Sequence, residues 1–310
     1  MKLRTAIGGA LGTVGAVAIG NRLLRSRASR LESRLTGVER TYRWRGMDIS
    51  YTVAGDPSDT DLLLFHGVHA AASSDEFEPV FESLAEHYHV IAVDLPGFGR
   101  SDRPPLVYSA DLYEEFVRDF ATDVADDPIV VASSLTGSFA TAAAHETDVA
   151  ALVLICPTDE TVDDRPWLRT LVRTPLLGQT LFNLLSSQPS IRRFLARDGY
   201  YDDANVDEAE VDYAWRSAHQ PGARFAPASF ASGALDPDDD LATELAALEI
   251  PVTLVWGRDA ELVPLREGRD LAEAADLDLL VVDYATLLPH AEHPTEVLES
   301  LEAELPRTED

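Results

Sequence analysis

The sequence predicts a doubly wound α/β domain with a mostly parallel sheet, a helical insertion over that sheet, and a hydrophobic helix at the N-terminus. Three observations carry this expectation. Short apolar runs such as DLLLF, HVIAV, IVVAS and ALVLI are each followed by a stretch of helical character, the mark of a parallel sheet covered on both faces. The alternation stops after Pro157 and resumes at Pro251. Residues 5–21 are an uncharged run of 17 residues followed at once by a cluster of arginines.

Taken in order, RTYRWRG and MDISYTVAG form an antiparallel pair turning at Gly46, DLLLFHG from Asp61 a buried strand, and EFEPVFESLAEHY from Glu76 an amphipathic helix. HVIAVDLPG is the next strand, DLYEEFVRDFATDVA a helix, PIVVAS a strand, LTGSFATAAAHE a helix and VAALVLICP a strand. PVTLVWG and DLLVVDYA complete the sheet, with HPTEVLESLEAEL as the closing helix. Residues 158–232 contain no strand run, and patches such as WLRTLVRTPLLGQTLFNLLSS have helical periodicity, so they predict a helical cap. Within it, Trp167, Phe182, Phe194, Tyr200 and Tyr201 are expected to pack the cap and in part to line an apolar pocket. The expected organisation is an N-terminal segment 1–35, a core of 36–157 and 233–310, and the cap 158–232. The acidic stretch 236–241 is expected to be a solvated loop and helix start.

Composition narrows the function classes. Hydrophobic residues make up 45% and charged residues 25% of 310, ordinary globular usage. Acidic residues number 54 against 25 basic, a net charge of −29, and Lys2 is the only lysine. Such a surface repels phosphate backbones and argues against a nucleic-acid partner; it resembles the composition of halophilic proteins from salt-saturated cytoplasm. Cys156 is the single cysteine and sits in a buried strand, which predicts a small core hydrophobe and not a nucleophile.

The first 35 residues carry seven basic side chains and one acid, Glu32, leaving 18 basic against 53 acidic in the remainder. The run from Thr5 to Asn21 falls just short of the ~20 residues of a spanning helix; Gly8 and Gly12 have the small-xxx-small spacing of helix pairs in lipid. Arg22, Arg25, Arg27, Arg30 and Arg34 follow, whereas Lys2 and Arg4 precede, so an uncleaved transmembrane helix would hold the domain on the cytoplasmic side. Two alternatives stand beside the anchor: a cleaved signal peptide ending at Ala16-Val17-Ala18, and an amphipathic extension of a cytoplasmic protein.

The chemistry begins at VVASSLTG, residues 130–137, where a buried strand delivers a serine straight into a helix. A nucleophile on such a turn has strained backbone and needs small neighbours two residues to either side. Ser134 has Ala132 and Thr136 there; Ser133 would have Val131 and Leu135. The turn aims the Leu135 amide at a developing oxyanion. The plainer alternative is a pair of serines capping a helix.

With these motifs in place the chain resembles the alpha/beta-hydrolase fold superfamily. HGVHA at 66–70 resembles its oxyanion loop, DLPGFGRSDRP at 94–104 the turn after its fourth strand, and ASSLTG its nucleophile elbow; WGRDAELVP at 256–264 and LLPHAEHP at 287–294 resemble the loops after its last two strands. The resemblance spans about residues 40–305 and implies Ser134 as nucleophile, the amides of Val68 and Leu135 as oxyanion hole, and close backbone approach at Gly67, within a loop that also holds His66 and His69.

Two positions depart from the family pattern. The place of the acid holds Ala260, flanked by Asp259 and Glu261, and the place of the Gly-His pair holds Thr286 and Leu287. A serine without a base is a weak nucleophile at neutral pH, so the base must come from elsewhere. His290, three residues beyond Leu287, is the first expectation, with Asp259 or Glu261 to orient it; Asp159 is a further acid and His69 a further base. GFG at 97–99 lacks the third glycine of a dinucleotide fingerprint, and the paired histidines at 66/69, 87/89 and 290/293 have no cysteine partners. No cofactor and no metal is expected. The expected function is an esterase-like hydrolase acting on a small apolar substrate through Ser134; the alternative is a catalytically degenerate relative that binds a small molecule or a partner.

Overall fold

The computed structural model describes residues 18–28, 30–161 and 165–304. Most of the uncharged N-terminal run, residues 5–17, lies outside them, and the anchor and signal-peptide expectations fall there. No described helix is long and apolar enough to cross a membrane. Helix α1 covers residues 18–27. The core then follows as β1 (Val38–Trp44), β2 (Met47–Ala54), β3 (Asp61–Phe65), α2 (Glu78–Leu84), β4 (His89–Val93), α3 (Ala110–Val124), β5 (Ile129–Ser133), α4 (Thr136–Ala144) and β6 (Ala151–Ile155). Five helices intervene: α5 (Pro166–Arg173), α6 (Leu177–Leu185), α7 (Gln188–Phe194), α8 (Glu208–Ala218) and α9 (Phe225–Phe230). The chain closes with α10 (Leu241–Ala246), β7 (Val252–Gly257), α11 (Leu265–Ala275), β8 (Asp278–Val282), α12 (Pro289–Glu292) and α13 (Pro294–Glu304).

One sheet of eight strands results, in the order β1-β2-β4-β3-β5-β6-β7-β8, antiparallel at β1–β2–β4 and parallel beyond. The turn between β1 and β2 has Arg45 and Gly46 both at positive φ, 45° and 84°, the backbone that a two-residue hairpin requires and that glycine supplies without strain. The central strands are buried along their whole length because helices cover both faces. On one face α3 and α4 bring Phe116, Phe120 and Phe139 against Leu63, Phe65, Val130 and Leu152; on the other α2, the turn before it and α13 bring Phe77, Phe81 and Val297 against Leu62, Leu64 and Val131. Fixing β5 at the centre of this double layer places its carboxyl end, and the serine that follows, at a rigid point of the molecule.

Three elements differ from expectation. The helix expected from Glu76 starts two residues later: Ser74–Phe77 is a 3-10 turn, and Pro79 occupies the first turn of α2, the part of a helix where proline fits. The closing helix α13 forms where expected, but a short helix α12 precedes it, separated at His293 because the residue before Pro294 is driven out of helical backbone. Within the cap Phe182 and Tyr200 are buried, but Trp167 and Tyr201 are exposed and do not pack its interior. The N-terminal segment joins the core before residue 36: Leu31 and Leu35 are buried, and Arg34 reaches Asp75 at 3.0 Å.

Candidate active site

The carboxyl ends of β3, β4 and β5 converge beneath the cap. Ser134 has φ 55°, a left-handed conformation that a side chain resists and that persists where surrounding structure fixes it. Here its amide donates to the Ile155 carbonyl at 2.8 Å, and its carbonyl accepts from the Gly137 amide at 2.9 Å. The strand above and the helix below thus hold the serine half-exposed between them. Helix packing needs the small residue at 137, since a side chain there would meet Pro157.

The neighbouring backbone comes from the loop after β3. A first side-chain carbon at Gly67 would stand 3.3 Å from both Ser133 Oγ and Ser134 Cβ and 3.5 Å from Glu76 Oε2, so any side chain there would crowd the serines, which glycine avoids. Val68 and Leu135 are buried, and among the described residues neither amide is donated to another protein group. Two buried, uncommitted N–H groups thus flank a strained serine, an arrangement with the donors that an oxyanion would need. His66 is a fastener at this point: its Nδ1 donates to the Gly67 carbonyl at 2.7 Å, its Nε2 accepts from the Leu95 amide at 3.1 Å, and burial lowers its pKa, which keeps the ring neutral. His69 accepts from the Ala71 amide and stacks on Phe194 of the cap at 5.7 Å; burial brings its pKa down to about 4.

The loops after β7 and β8 are different in kind. Ala260 is buried with Cys156, Trp256, Val263 and Leu265, and Leu287 packs against the same cluster. The two places where the family pattern keeps acid and base therefore adjoin one apolar cluster. Asp259 and Glu261 on either side of Ala260 face solvent. Asp159 is committed to capping, its Oδ2 accepting from the Leu241 amide at 2.9 Å. Cys156 is buried, and its thiol is pushed up to about 12 by desolvation.

His290 is turned into the protein, under Phe77 at 5.3 Å between ring centroids. It lines a cavity of about 20 Å³ with Leu62, Leu64, Val131 and Ile155. Neither ring nitrogen finds a partner at full hydrogen-bond geometry, and burial lowers its pKa to about 4, offset only in part by the Glu76 backbone. Its nearest charged neighbour is Glu76 Oε1 at 3.7 Å; no hydrogen bond links it to Ser134 or Asp259 among the described residues.

Glu76 is the group that sequence reasoning passed over. Its Oε2 accepts from the Gly67 amide at 2.9 Å, and burial raises its pKa to about 7, while hydrogen bonds from the Ser133 hydroxyl and the Gly67 amide favour the charged form. As the expected first residue of a helix it belongs to solvent; the 3-10 turn instead directs it inward. The only signal was an acid placed among Phe77, Pro79, Val80 and Phe81, nine residues past the glycine it contacts.

Comparison with known proteins agrees with this architecture. The model of the alpha/beta hydrolase family matches residues 62–300. A 2-hydroxy-6-oxo-6-(2'-aminophenyl)hexa-2,4-dienoic acid hydrolase of Metapseudomonas resinovorans is 26% identical over 265 residues, 83% of this chain and 84% of that protein. A pimeloyl-[acyl-carrier protein] methyl ester esterase of Xanthomonas campestris pv. campestris is 32% identical over 259 residues, 79% of this chain and 96% of that one. Among solved structures, a serine hydrolase involved in carbazole degradation superposes with a TM-score of 0.68 at 22% identity, covering 86% of this chain and 97% of that chain.

Proposed function

The chain belongs to the alpha/beta hydrolase family, and from that premise we propose that it hydrolyses an ester-like small apolar substrate through Ser134, with Glu76 as the base in place of the absent histidine. The observation that carries this reading is the positive-φ serine flanked by the uncommitted Val68 and Leu135 amides. Glu76 is the ionisable group best placed to serve it, because its carboxylate and Ser134 flank the same spot over Gly67, and a base with pKa near the working pH transfers protons most effectively.

In the proposed cycle Ser134 Oγ attacks the ester carbonyl carbon and its proton passes to the Glu76 carboxylate, while the Val68 and Leu135 amides hold the oxyanion. Collapse expels the alcohol, which takes that proton. Water, giving its proton to Glu76, then attacks the acyl-enzyme; the proton returns to Ser134 as the carboxylic acid leaves. His290, neutral above pH 4, adds no positive charge that would pull the Glu76 pKa back down. The cap lies over the site: Phe194 stacks on His69, and Phe182 and Ile191 pack in one cluster with Ala71, which supports an apolar substrate. Asp259 and His290 keep the lesser role of shaping the neighbouring loops.

A second reading is favoured by the apolar cluster at Ala260 and Leu287: a hydrolase scaffold that binds a small molecule or partner without turning it over. A fluorophosphonate probe separates the two. Under the first, the probe labels wild type, labelling rises as pH passes through about 7, Ser134→Ala abolishes it, and Glu76→Gln reduces it by ~10²-fold or more. Wild-type protein that is folded and unlabelled at pH 8 leaves only the binding reading.

A further inference from the structure

We propose that the face formed by α1, α5 and α6 seats this protein on an anionic lipid surface. The first ground is that α6 buries polar residues beside Phe182 and leaves three leucines outside. Its polar residues Gln179 and Asn183 are buried, whereas Leu177, Leu184 and Leu185 are 72%, 66% and 60% exposed. Burying amides and leaving leucines in water runs against the ordinary ordering of helix faces, and it becomes favourable where the outer medium is apolar.

The second ground is that α1 is docked on the same helix through polar contacts. Asn21 Nδ2 donates to Thr180 Oγ1 at 3.2 Å, Asn183 Nδ2 donates to Asn21 Oδ1 at 3.0 Å, and Arg25 donates to Gln179 Oε1 at 3.4 Å. That pairing turns Ile19 and Leu23 outward, 62% and 57% exposed, and Trp167 on α5 is exposed as well. Adjacent helices thus present leucine, isoleucine and tryptophan on their outer sides, an apolar surface of the kind that marks an interaction site.

Charge identifies the occupant. Residues 18–27 and 166–185, which make up α1, α5 and α6, hold five basic side chains, Arg22, Arg25, Arg27, Arg169 and Arg173, and none of the 54 acidic ones. In a chain of net charge −29 this is a cationic, leucine-rich island, and arginine pairs with phosphate through a two-pronged hydrogen bond that salt weakens less than a distant charge. A second copy docked through the same face would bring its arginines against like charges. The sequence ahead of α1 fits this reading too, because residues 5–17 carry no charge.

The test uses the full-length chain in the lowest salt at which it is folded, with vesicles of phosphatidylcholine alone or mixed equally with phosphatidylglycerol. Cys156 is buried, so a nitroxide label goes to Leu184→Cys, or to Glu273→Cys on exposed α11 as control. On mixed vesicles the label at 184 is expected to gain access to oxygen and lose access to an aqueous nickel chelate, with no change at 273. Binding to mixed vesicles should exceed binding to phosphatidylcholine by on the order of tenfold. Leu177→Asn, Leu184→Asn and Leu185→Asn together should weaken it by on the order of tenfold. Should that variant not fold, Arg22→Gln with Arg27→Gln, both exposed, should weaken binding to mixed vesicles only.

A label at 184 that stays in water while the protein floats with vesicles overturns the proposal and assigns binding to residues 1–17. Equal binding to both compositions overturns the charge argument. Shielding of the label before lipid is added shows the face already covered, by residues 1–17 or by a second copy that sedimentation would detect. None of these readouts involves Ser134, so the proposed hydrolysis and the lipid-facing surface stand or fall separately.

Discussion

The loops after β3 and β5 and the loops after β7 and β8 line the same edge of one sheet, and they are built in opposite senses. At the first pair, strained backbone, free amides and a buried carboxyl meet around Ser134. At the second, Ala260 and Leu287 adjoin a cluster of Trp256, Val263 and Cys156. The contrast separates two kinds of catalytic equipment. On the proposed reading, the oxyanion hole and elbow are made by main chain, and they persist as long as the strand ends and glycines that shape them persist. An acid and a base are side chains, each removable by one substitution without disturbing the sheet. Removing both together is physically coherent: a lone aspartate or histidine beside Trp256 would be a buried polar group without a partner, which typically costs about 1–3 kcal/mol.

The largest expected effect comes from erasing the contrast. Placed in the Glu76→Gln background, Ala260→Asp with Leu287→His supplies a paired acid and imidazole, and hydrolysis of an activated ester should rise by ~10² to 10⁴-fold over Glu76→Gln alone, measured as initial rates. The same variant should melt at lower temperature, since the pair replaces apolar contacts. A folded triple variant with no gain in rate would show that the second pair of loops does not address Ser134.

Next in size is a change on the polar side that acts through charge. Glu76 has its folded pKa raised from 4.5 to about 7 by burial. A raised carboxyl pKa contributes stability that is complete below about pH 4.5 and lost as pH climbs through 7. Glu76→Gln keeps an acceptor for the Gly67 amide without the charge. Its melting temperature should match wild type near pH 4 and exceed it above pH 7, by up to about 3 kcal/mol in free energy. A gain in stability paired with loss of probe labelling would mark Glu76 as a group kept for chemistry at the expense of the fold; equal stability at pH 8 would mean the carboxyl is not desolvated.

The smallest effect tests His290. With its pKa lowered to about 4 by burial, its contribution is present above about pH 6.5 and lost as pH falls through 4. His290→Leu removes two nitrogens without full partners from a pocket of aliphatic side chains. It should stabilise the protein by about 1 kcal/mol at pH 8, with the gap to wild type widening as pH drops from 6.5 towards 4. Thermal melts at three pH values suffice, and a destabilised variant would mean that the ring holds Glu76 in place.

Legibility in the sequence followed the same division. The strands were readable because a parallel sheet buried on both faces leaves uninterrupted apolar runs, and the strained turn at Ser134 was readable because it demands small residues at fixed offsets; Gly67 and Val68 came through the family resemblance, and the roles of these residues and of Leu135 belong to the proposed function. Glu76 was not readable, since its burial depends on Pro79 delaying a helix by half a turn. His290 was placed in the right loop, but its direction depends on the short helix α12 and on Phe77 packing across it. Which side α6 turns outward was not legible, since helical periodicity gives no orientation in a stretch with leucines all round, and contacts such as Asn183 with Asn21 set it in the folded protein.

The insertion of the cap between β6 and β7 also has a consequence in time. β6 ends at Ile155 and its partner β7 begins at Val252. At synthesis rates of roughly 5–20 residues per second, about 5–20 s pass between the two. Through that interval the nascent chain carries a fully apolar strand with one bare hydrogen-bonding edge, the form most open to mispairing with another chain. The leucine-rich helices emerge from the ribosome within the same interval, before the sheet they will cover is complete. Growth temperature and chaperone supply should therefore govern the yield of this protein through that one unguarded edge.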